Sequence, residues 1–439
     1  MGDARRAALA VLEKCRRSGA WSDAVLGAAM DKAGLTGSDR ALCTSLCYGV
    51  MQNLFLLDHV LQSASTPPLK KAEPKVLDIL RIAAYQLLFM TKIPASAAVN
   101  EAVNLSRALG FSRAAGYVNA VLRRVAANPA VPEIRGDALS SLSIRYSHPR
   151  WLVSELCELL GEAEAEEFLK CDNAPVPTYL QVNMLKTDSE ALRAALAGEG
   201  IGTKPHPWLP DCLIADGGDL ARGSAFQNGL FYVQDPAARL AALAAEPRPG
   251  QKILDVCAAP GGKSFAAAMA SGGKAEITAC DLHENKLKRI RAGAERLGLS
   301  IETLARDARE NRPDWRGAFD LVLADVPCSG LGVIRKKPDI RYKNPADFTA
   351  LPGLQTDIIK NAARYVAPGG ALLYSTCTVR REENEDVIVA FLRQNEDFSP
   401  EDFNQLPGGR SSEDGMLRLW PQRDGTDGFF IAKLRKKAI

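Results

Sequence analysis

The chain has 439 residues, 46% hydrophobic and 24% charged, an ordinary balance with enough length for two or three domains and ample core. No apolar run is long enough to span a bilayer as a helix and the N-terminus is polar and soon basic, so neither a spanning helix nor a signal peptide is expected and the cytosol is the default compartment. The net charge of +3 is uneven: residues 1–145 hold 18 Lys+Arg and 11 Asp+Glu (+7), and the remainder 37 and 41 (−4). A basic front suits a polyanion, or equally a solvated face. Ten scattered cysteines in a chain this long point to reduced thiols. Cys43 and Cys47, one helical turn apart, read as core packing rather than zinc ligands.

Residues 4–130 read as helices. Ala8, Val11, Leu12 and Cys15 follow the spacing of a core-facing stripe, Leu42, Leu46, Met51 and Phe55 suggest another, and Val76 to Met90 is apolar enough to be central. Pro67-Pro68 and Pro94 punctuate. Two more helices start at Asn100 and Gly116, the second carrying Arg123-Arg124 toward phosphates or simply toward water. Tyr146-Ser147-His148-Pro149-Arg150-Trp151-Leu152 opens a helical stretch to about Lys170, with His148 read as structural. Thr178 to Lys186 alternates as a strand, and Ser189 to Leu196 reads as a helix. The expected domains are 1–145, a small α/β subdomain at 146–235, and 236–439.

From about 236 the pattern becomes strand, turn, helix, repeated. Strands are expected at Lys252–Val256, Glu276–Cys280, Ile301–Leu304, Phe319–Ala324 and Ala371–Tyr374, with helices at Lys263–Ala270, Glu284–Leu297, Leu354–Val366 and Arg381–Arg393. That alternation argues for a parallel sheet covered on both faces, with Met416–Trp420 and Phe429–Leu434 as an antiparallel pair at its edge.

The first of these strands runs into Asp255-Val256-Cys257-Ala258-Ala259-Pro260-Gly261-Gly262-Lys263-Ser264. A phosphate loop fails because Cys257 stands where its first glycine belongs, and the spacing of a dinucleotide loop is absent. A nucleoside with a short amino-acid tail remains. Asp281 ends the second strand where an acid meets ribose hydroxyls, Asp307 follows the third with reach to an adenine amino group, and Asp325 follows the fourth. Each aspartate alone reads as a cap or turn; as a set they line one sheet edge. Past the fourth strand come Pro327 and Cys328, and past the fifth Ser375-Thr376-Cys377-Thr378. An isolated cysteine is usually buried and inert, but two in polar strand-end loops point to chemistry. Arg335-Lys336-Lys337-Pro338-Asp339-Ile340-Arg341-Tyr342-Lys343, directly after, is expected to contact an RNA backbone and an unstacked base.

Pro94 to Val103 and Tyr117 to Arg124 resemble the NusB-type RNA-binding helical domain. Asp255-x-Cys-Ala-Ala-Pro-Gly-Gly-Lys, Asp325-x-Pro-Cys-Ser-Gly and Ser375-Thr376-Cys377-Thr378 resemble the S-adenosylmethionine-dependent RNA 5-methylcytosine methyltransferases. With Tyr-Ser-His-Pro-x-Trp-Leu, the resemblance is to the bacterial Sun/RsmB (Fmu) family, with Ala238 standing where the family has serine. It implies an α/β chain: an all-α NusB-like domain, a small α/β subdomain and a Rossmann-like class I methyltransferase domain. It also implies methylation of cytosine 967 of 16S rRNA, naked or in an early small-subunit intermediate, by a monomer without metal. S-adenosylmethionine would lie against Cys257, Ala258, Ala259, Pro260, Gly261, Gly262, Lys263, Asp281, Asp307 and Asp325. The family's RNA branch implies Cys377 as nucleophile and Cys328 as the group aiding release, an order the residues alone leave open. Asp325 is the candidate contact to cytosine N3, and Lys263 would neutralise it and lower a nearby thiol pKa. Alternatives are a tRNA or other rRNA cytosine, or a non-catalytic RNA-binding protein, which binding of S-adenosylmethionine would discriminate.

Overall fold

The computed structural model describes residues 4–18 and 22–438. The chain forms two compact units, one running through Ala174 and including Ile334–Lys343, the other Pro175–Val333 with Asn344 onward.

The first unit is helical. Helix Ala4–Ser18 buries Ala8, Val11 and Leu12, as their spacing predicts. Pro74–Phe89 is central: Glu73 caps it by accepting from the N–H groups of Lys75 and Val76, Pro74 starts it, and Val76, Ile79, Leu80 and Ala83 are buried. The stripe read through Leu42 and Phe55 is two helices, Gly37–Gln52 and Leu54–Ala64, joined at Asn53, whose side chain donates to the Gly49 carbonyl. Ala95–Ala108 and Ala115–Ala127 follow. The stretch after His148 is also two helices, Arg150–Leu160 and Glu162–Asp172, broken at Gly161 with φ 78°. His148 is fully buried between the Tyr146 carbonyl at 2.7 Å and Asp172 at 3.2 Å, which suits the structural role expected of it. Burial and the nearby Arg341 charge push its imidazole well below the usual range.

Segment 334–343 corrects one expectation. Arg341 is fully buried and donates to the carbonyls of Gln52, Tyr146 and Ser147 and to Asn173 Oδ1. Tyr342 donates to the Met51 carbonyl, and Arg335 is buried beside Cys171. Neither Arg341 nor Arg335 is presented to a polynucleotide: Arg341 donates to interior carbonyls and to Asn173, and Arg335 is buried with one nitrogen on the Cys171 sulfur, whereas Lys336, Lys337 and Lys343 of the same run are only half-buried.

The second unit opens with a four-stranded antiparallel sheet in the order β2-β3-β1-β4, from β1 Thr178–Val182, β2 Thr203–Pro205, β3 Cys212–Ala215 and β4 Phe231–Val233. β1 stops short of the expected Lys186 because Asn183 turns the chain, donating from Nδ2 to the Gly229 and Leu297 carbonyls. The larger sheet is built from β5 Lys252–Asp255, β6 Glu276–Asp281, β7 Glu302–Ala305, β8 Phe319–Asp325, β9 Val366–Thr376, β10 Phe398–Pro400, β11 Met416–Leu419 and β12 Phe429–Lys436. Its order is β10-β12-β9-β8-β5-β6-β7, with β11 also on β12; β5 to β9 are parallel and β12 antiparallel to β9. The chain runs outward from β5 through β6 to β7, then returns to β8 on the other side of β5. The topological switch therefore lies between β5 and β8, where such sheets hold ligands past the strand ends.

Candidate functional site

Loop 256–261 leaves the end of β5 in a tight turn. The Ala258 N–H donates to the Cys280 carbonyl, the Gly261 N–H to Ala258, and Gly261 takes φ 110° before helix Gly262–Ala270. A Cβ at Gly261 would lie 2.6 Å from the Phe265 ring, and one at Gly262 2.7 Å from the Gln234 amide, so both glycines permit close approach. The helix places Lys263 back toward the sheet. Its Nζ lies 2.6 Å from Asp325 Oδ2 at the end of β8, and 4.9 Å from the centre of the Phe429 ring. Ser375 at the end of β9 donates to the other Asp325 oxygen at 2.7 Å.

β8 and β9 pair Asp325 with Ser375, which brings the two following loops together. Cys328 Sγ and Cys377 Sγ are 3.4 Å apart and both half-buried. The hydrogen bond to Cys377, burial, and the Glu383 and Asp325 charges push the Cys328 thiol well up.

The other acids fall along the same edge. Asp281 ends β6, accepts from the His283 N–H and pairs with Lys286 at 3.4 Å. Asp307, two residues past β7, is clasped by Arg309 at 2.5 Å, and that hydrogen bond holds its carboxyl below the usual range. Asp255 is buried with Oδ2 accepting from Ser264 at 2.7 Å, while burial lifts its carboxyl to about 7. Burial and the Asp255, Asp325 and Asp281 charges push Cys257 well up, which suits a packed neutral thiol rather than a nucleophile. Among the described residues, no three His, Cys, Asp or Glu side chains converge as a metal site.

Glu383 and Asn384 were not singled out from sequence, yet both bond the loops that carry Cys328 and Cys377. In the charged run Arg380 to Asp386 they resemble a solvated surface; their position shortly after Cys377 is the only signal.

Residues 242–435 match the family described as 16S rRNA methyltransferase RsmB/F, residues 2–127 the NusB family, and residues 148–218 the ferredoxin-like domain of RsmF/B-like methyltransferases. The chain is 38% identical over 444 residues to a probable ribosomal RNA small subunit methyltransferase B of Bacillus subtilis (strain 168), covering 99% of this chain and 98% of that protein. It is 35% identical over 402 residues to a ribosomal RNA small subunit methyltransferase B of Vibrio cholerae, covering 91% and 90%. Among solved structures, PH0851 superposes with a TM-score of 0.82 at 27% identity over 99% of each chain. NSun6 from Pyrococcus horikoshii with SFG gives 0.57 at 25% identity over 66% of this chain and 98% of that one. No helix of the described residues is long and apolar enough to cross a membrane.

Proposed function

The chain belongs to the 16S rRNA methyltransferase RsmB/F family, and we propose that it moves a methyl group from S-adenosylmethionine to C5 of one 16S rRNA cytosine through a transient Cys377–C6 bond. The 3.4 Å approach of Cys328 to Cys377, beside the Lys263–Asp325 pair, carries this reading. The carboxyl edge around loop 257–263 fits the co-substrate by its donor set: Asp281 offers acceptors to ribose hydroxyls, and Asp307 could meet an amino group if Arg309 swung away. When bound, S-adenosylmethionine supplies an electrophilic sulfonium methyl.

C5 of cytosine is a poor nucleophile until a thiolate adds to C6. Cys377 thiolate forms that bond, N3 takes up a proton from solvent on the side facing Asp325, and the enamine-like ring attacks the methyl while the sulfonium bonding pair stays with the departing thioether. A base then removes the C5 proton, the C6–S bond breaks, and Cys377 leaves as thiolate as N3 returns its proton. Cys328 is our candidate base. It can act only as the thiolate, so it must first release its own proton to solvent, and the hydrogen bond with Cys377 that helps to hold that proton is lost once Cys377 is bonded to carbon. Lys263 keeps Asp325 in place throughout. The target base must leave its stack to reach the thiol.

The Cys328→Ala variant, incubated with S-adenosylmethionine and unmodified 16S rRNA, should accumulate a covalent protein–RNA band on a denaturing gel, absent when Cys377 is also Ala. Mapping the crosslink tests cytosine 967, the position the family resemblance implies. An adduct that needs Cys328 instead would exchange the two roles. Wild type that neither methylates nor forms adduct with 16S rRNA would redirect the search to tRNA.

A further inference from the structure

Both cysteine loops are held from behind by two consecutive residues outside the chemistry above. Glu383 is fully buried, and its Oε2 accepts from the Ser329 N–H at 2.8 Å and from Gln355 Nε2 at 2.9 Å. The same Gln355 Nε2 donates to the Pro327 carbonyl at 3.0 Å. The residues on either side of Cys328 are therefore fastened to one carboxylate, one directly and one through Gln355. Asn384, also fully buried, treats Cys377 the same way. Its Oδ1 accepts from Thr376 Oγ1 at 2.6 Å, and its Nδ2 donates to the Thr378 carbonyl at 3.1 Å. The Tyr374 hydroxyl fixes the Glu383 backbone to β9 by donating to its carbonyl at 2.6 Å. Ser329 and Thr378 join the loops through their hydroxyls at 2.7 Å.

Burying a carboxylate is unfavourable unless good hydrogen bonds offset the lost hydration, and Glu383 Oε1 has no hydrogen-bond partner among the described residues. A packed core would be satisfied by an uncharged residue. What the acid contributes is charge-strengthened acceptance of two converging donors at one oxygen, which narrows where Ser329 and Gln355 can sit.

We propose that Glu383 and Asn384 are positioning residues that set the separation of Cys328 and Cys377, Glu383 by clamping Pro327 and Ser329 and Asn384 by clamping Thr376 and Thr378. The kinetic part of this proposal rests on the methyltransferase reading; the geometric part does not.

The geometric test uses the full-length protein without RNA. Diamide takes up the two thiol hydrogens as it links Cys328 to Cys377, and peptide mass spectrometry reads the linkage rate. Glu383→Ala and Asn384→Ala should slow it about tenfold while thermal unfolding stays cooperative, and Glu383→Gln, which keeps an oxygen acceptor, should recover part of the rate. In turnover both alanine variants should lose about tenfold or more in kcat with both KM values nearly unchanged. Glu383→Ala alone should accumulate the covalent RNA adduct, since it displaces the Cys328 loop. Unchanged linkage and kcat would overturn the proposal, and so would alanine variants that lose kcat only in step with lost folding. Slowed linkage in a protein whose wild type transfers no methyl group would keep the clamp and discard the functional reading.

Discussion

Asp255 shows how one buried acid leaves a pH signature. Its carboxyl is raised to about 7, so between the unfolded value near 4 and that point the folded chain holds a proton that the unfolded chain has released. Stability therefore falls as pH rises through that window, and the whole penalty is present above it. Asp255→Asn keeps an oxygen for Ser264 and removes the charge; in urea titrations it should match wild type near pH 4 and exceed it by roughly 1–4 kcal/mol above pH 7. A gain that is the same at both pH values would refute the raised carboxyl. At this scale legibility was uneven. Cys328, Cys377, Asp325 and Lys263 could be found because short strand-to-loop motifs carry them. Glu383 and Asn384 could not, because burial is invisible in a run such as Arg380-Arg381-Glu382-Glu383-Asn384-Glu385. Arg341 and Tyr342 misled for the same reason: a cationic, aromatic segment reads as solvent-facing until its acceptors are known.

At the level of elements, the Cys328 loop depends on a backbone crossing. The Gly332 N–H donates to the Cys377 carbonyl at 3.0 Å, and the Gly332 carbonyl accepts from the Gly428 N–H at 2.8 Å. A Cβ on Gly332 would stand 1.9 Å from the Gly428 carbonyl oxygen, backbone against backbone, with no flexible side chain to move aside. Gly332→Ala should therefore destabilise the protein by about 2 kcal/mol or more and shift the Cys328 loop, seen as a lowered urea midpoint and altered Cys328 alkylation. A variant as stable and as reactive as wild type would show that the crossing can relax. The parallel strands were readable because each is a short apolar run ended by an acid or a turn. β9 extends five residues before the expected Ala371, to Val366, and helix Leu351–Tyr365 ends one residue earlier than expected. The register shift at Phe319–Leu321 lets Val366 pair with Phe319 before Ala371 takes up the ladder at Leu321, which no local propensity announces. Likewise Arg381–Arg393 is a single 3-10 turn, Arg381–Glu383, followed by helix Glu385–Gln394, because the Asn384 backbone departs from helical geometry at φ −114°, ψ −102°.

For the molecule as a whole, the division into compact units does not follow the order of the chain. Ile334–Lys343 belongs with the helices through Ala174, and Arg341, with Tyr342 on the Met51 carbonyl and Asp339 on Ser22, helps to hold that segment. Removing the guanidinium takes one donor from the carbonyls of Gln52, Tyr146 and Ser147, although Tyr146 still accepts from His148 and Asn173 and Ser147 from Tyr342, so Arg341→Met should lower stability by about 1–3 kcal/mol. Faster amide exchange should then appear in 334–343 and around Tyr146–Asn173; exchange unchanged in both would mean the segment is held by other contacts. Composition hinted at a basic helical front, but nothing in it indicated that a later stretch returns to complete that front. During translation the consequence is a wait. About 160 residues separate Ala174 from Ile334, and at ribosomal speed of about 5–20 residues per second the helical unit stays unfinished for on the order of 10–30 s. Through that interval the carbonyls of Gln52, Tyr146 and Ser147 are without the guanidinium that will later donate to them. The helical unit has all its residues only when the stretch just beyond Cys328 has itself been made.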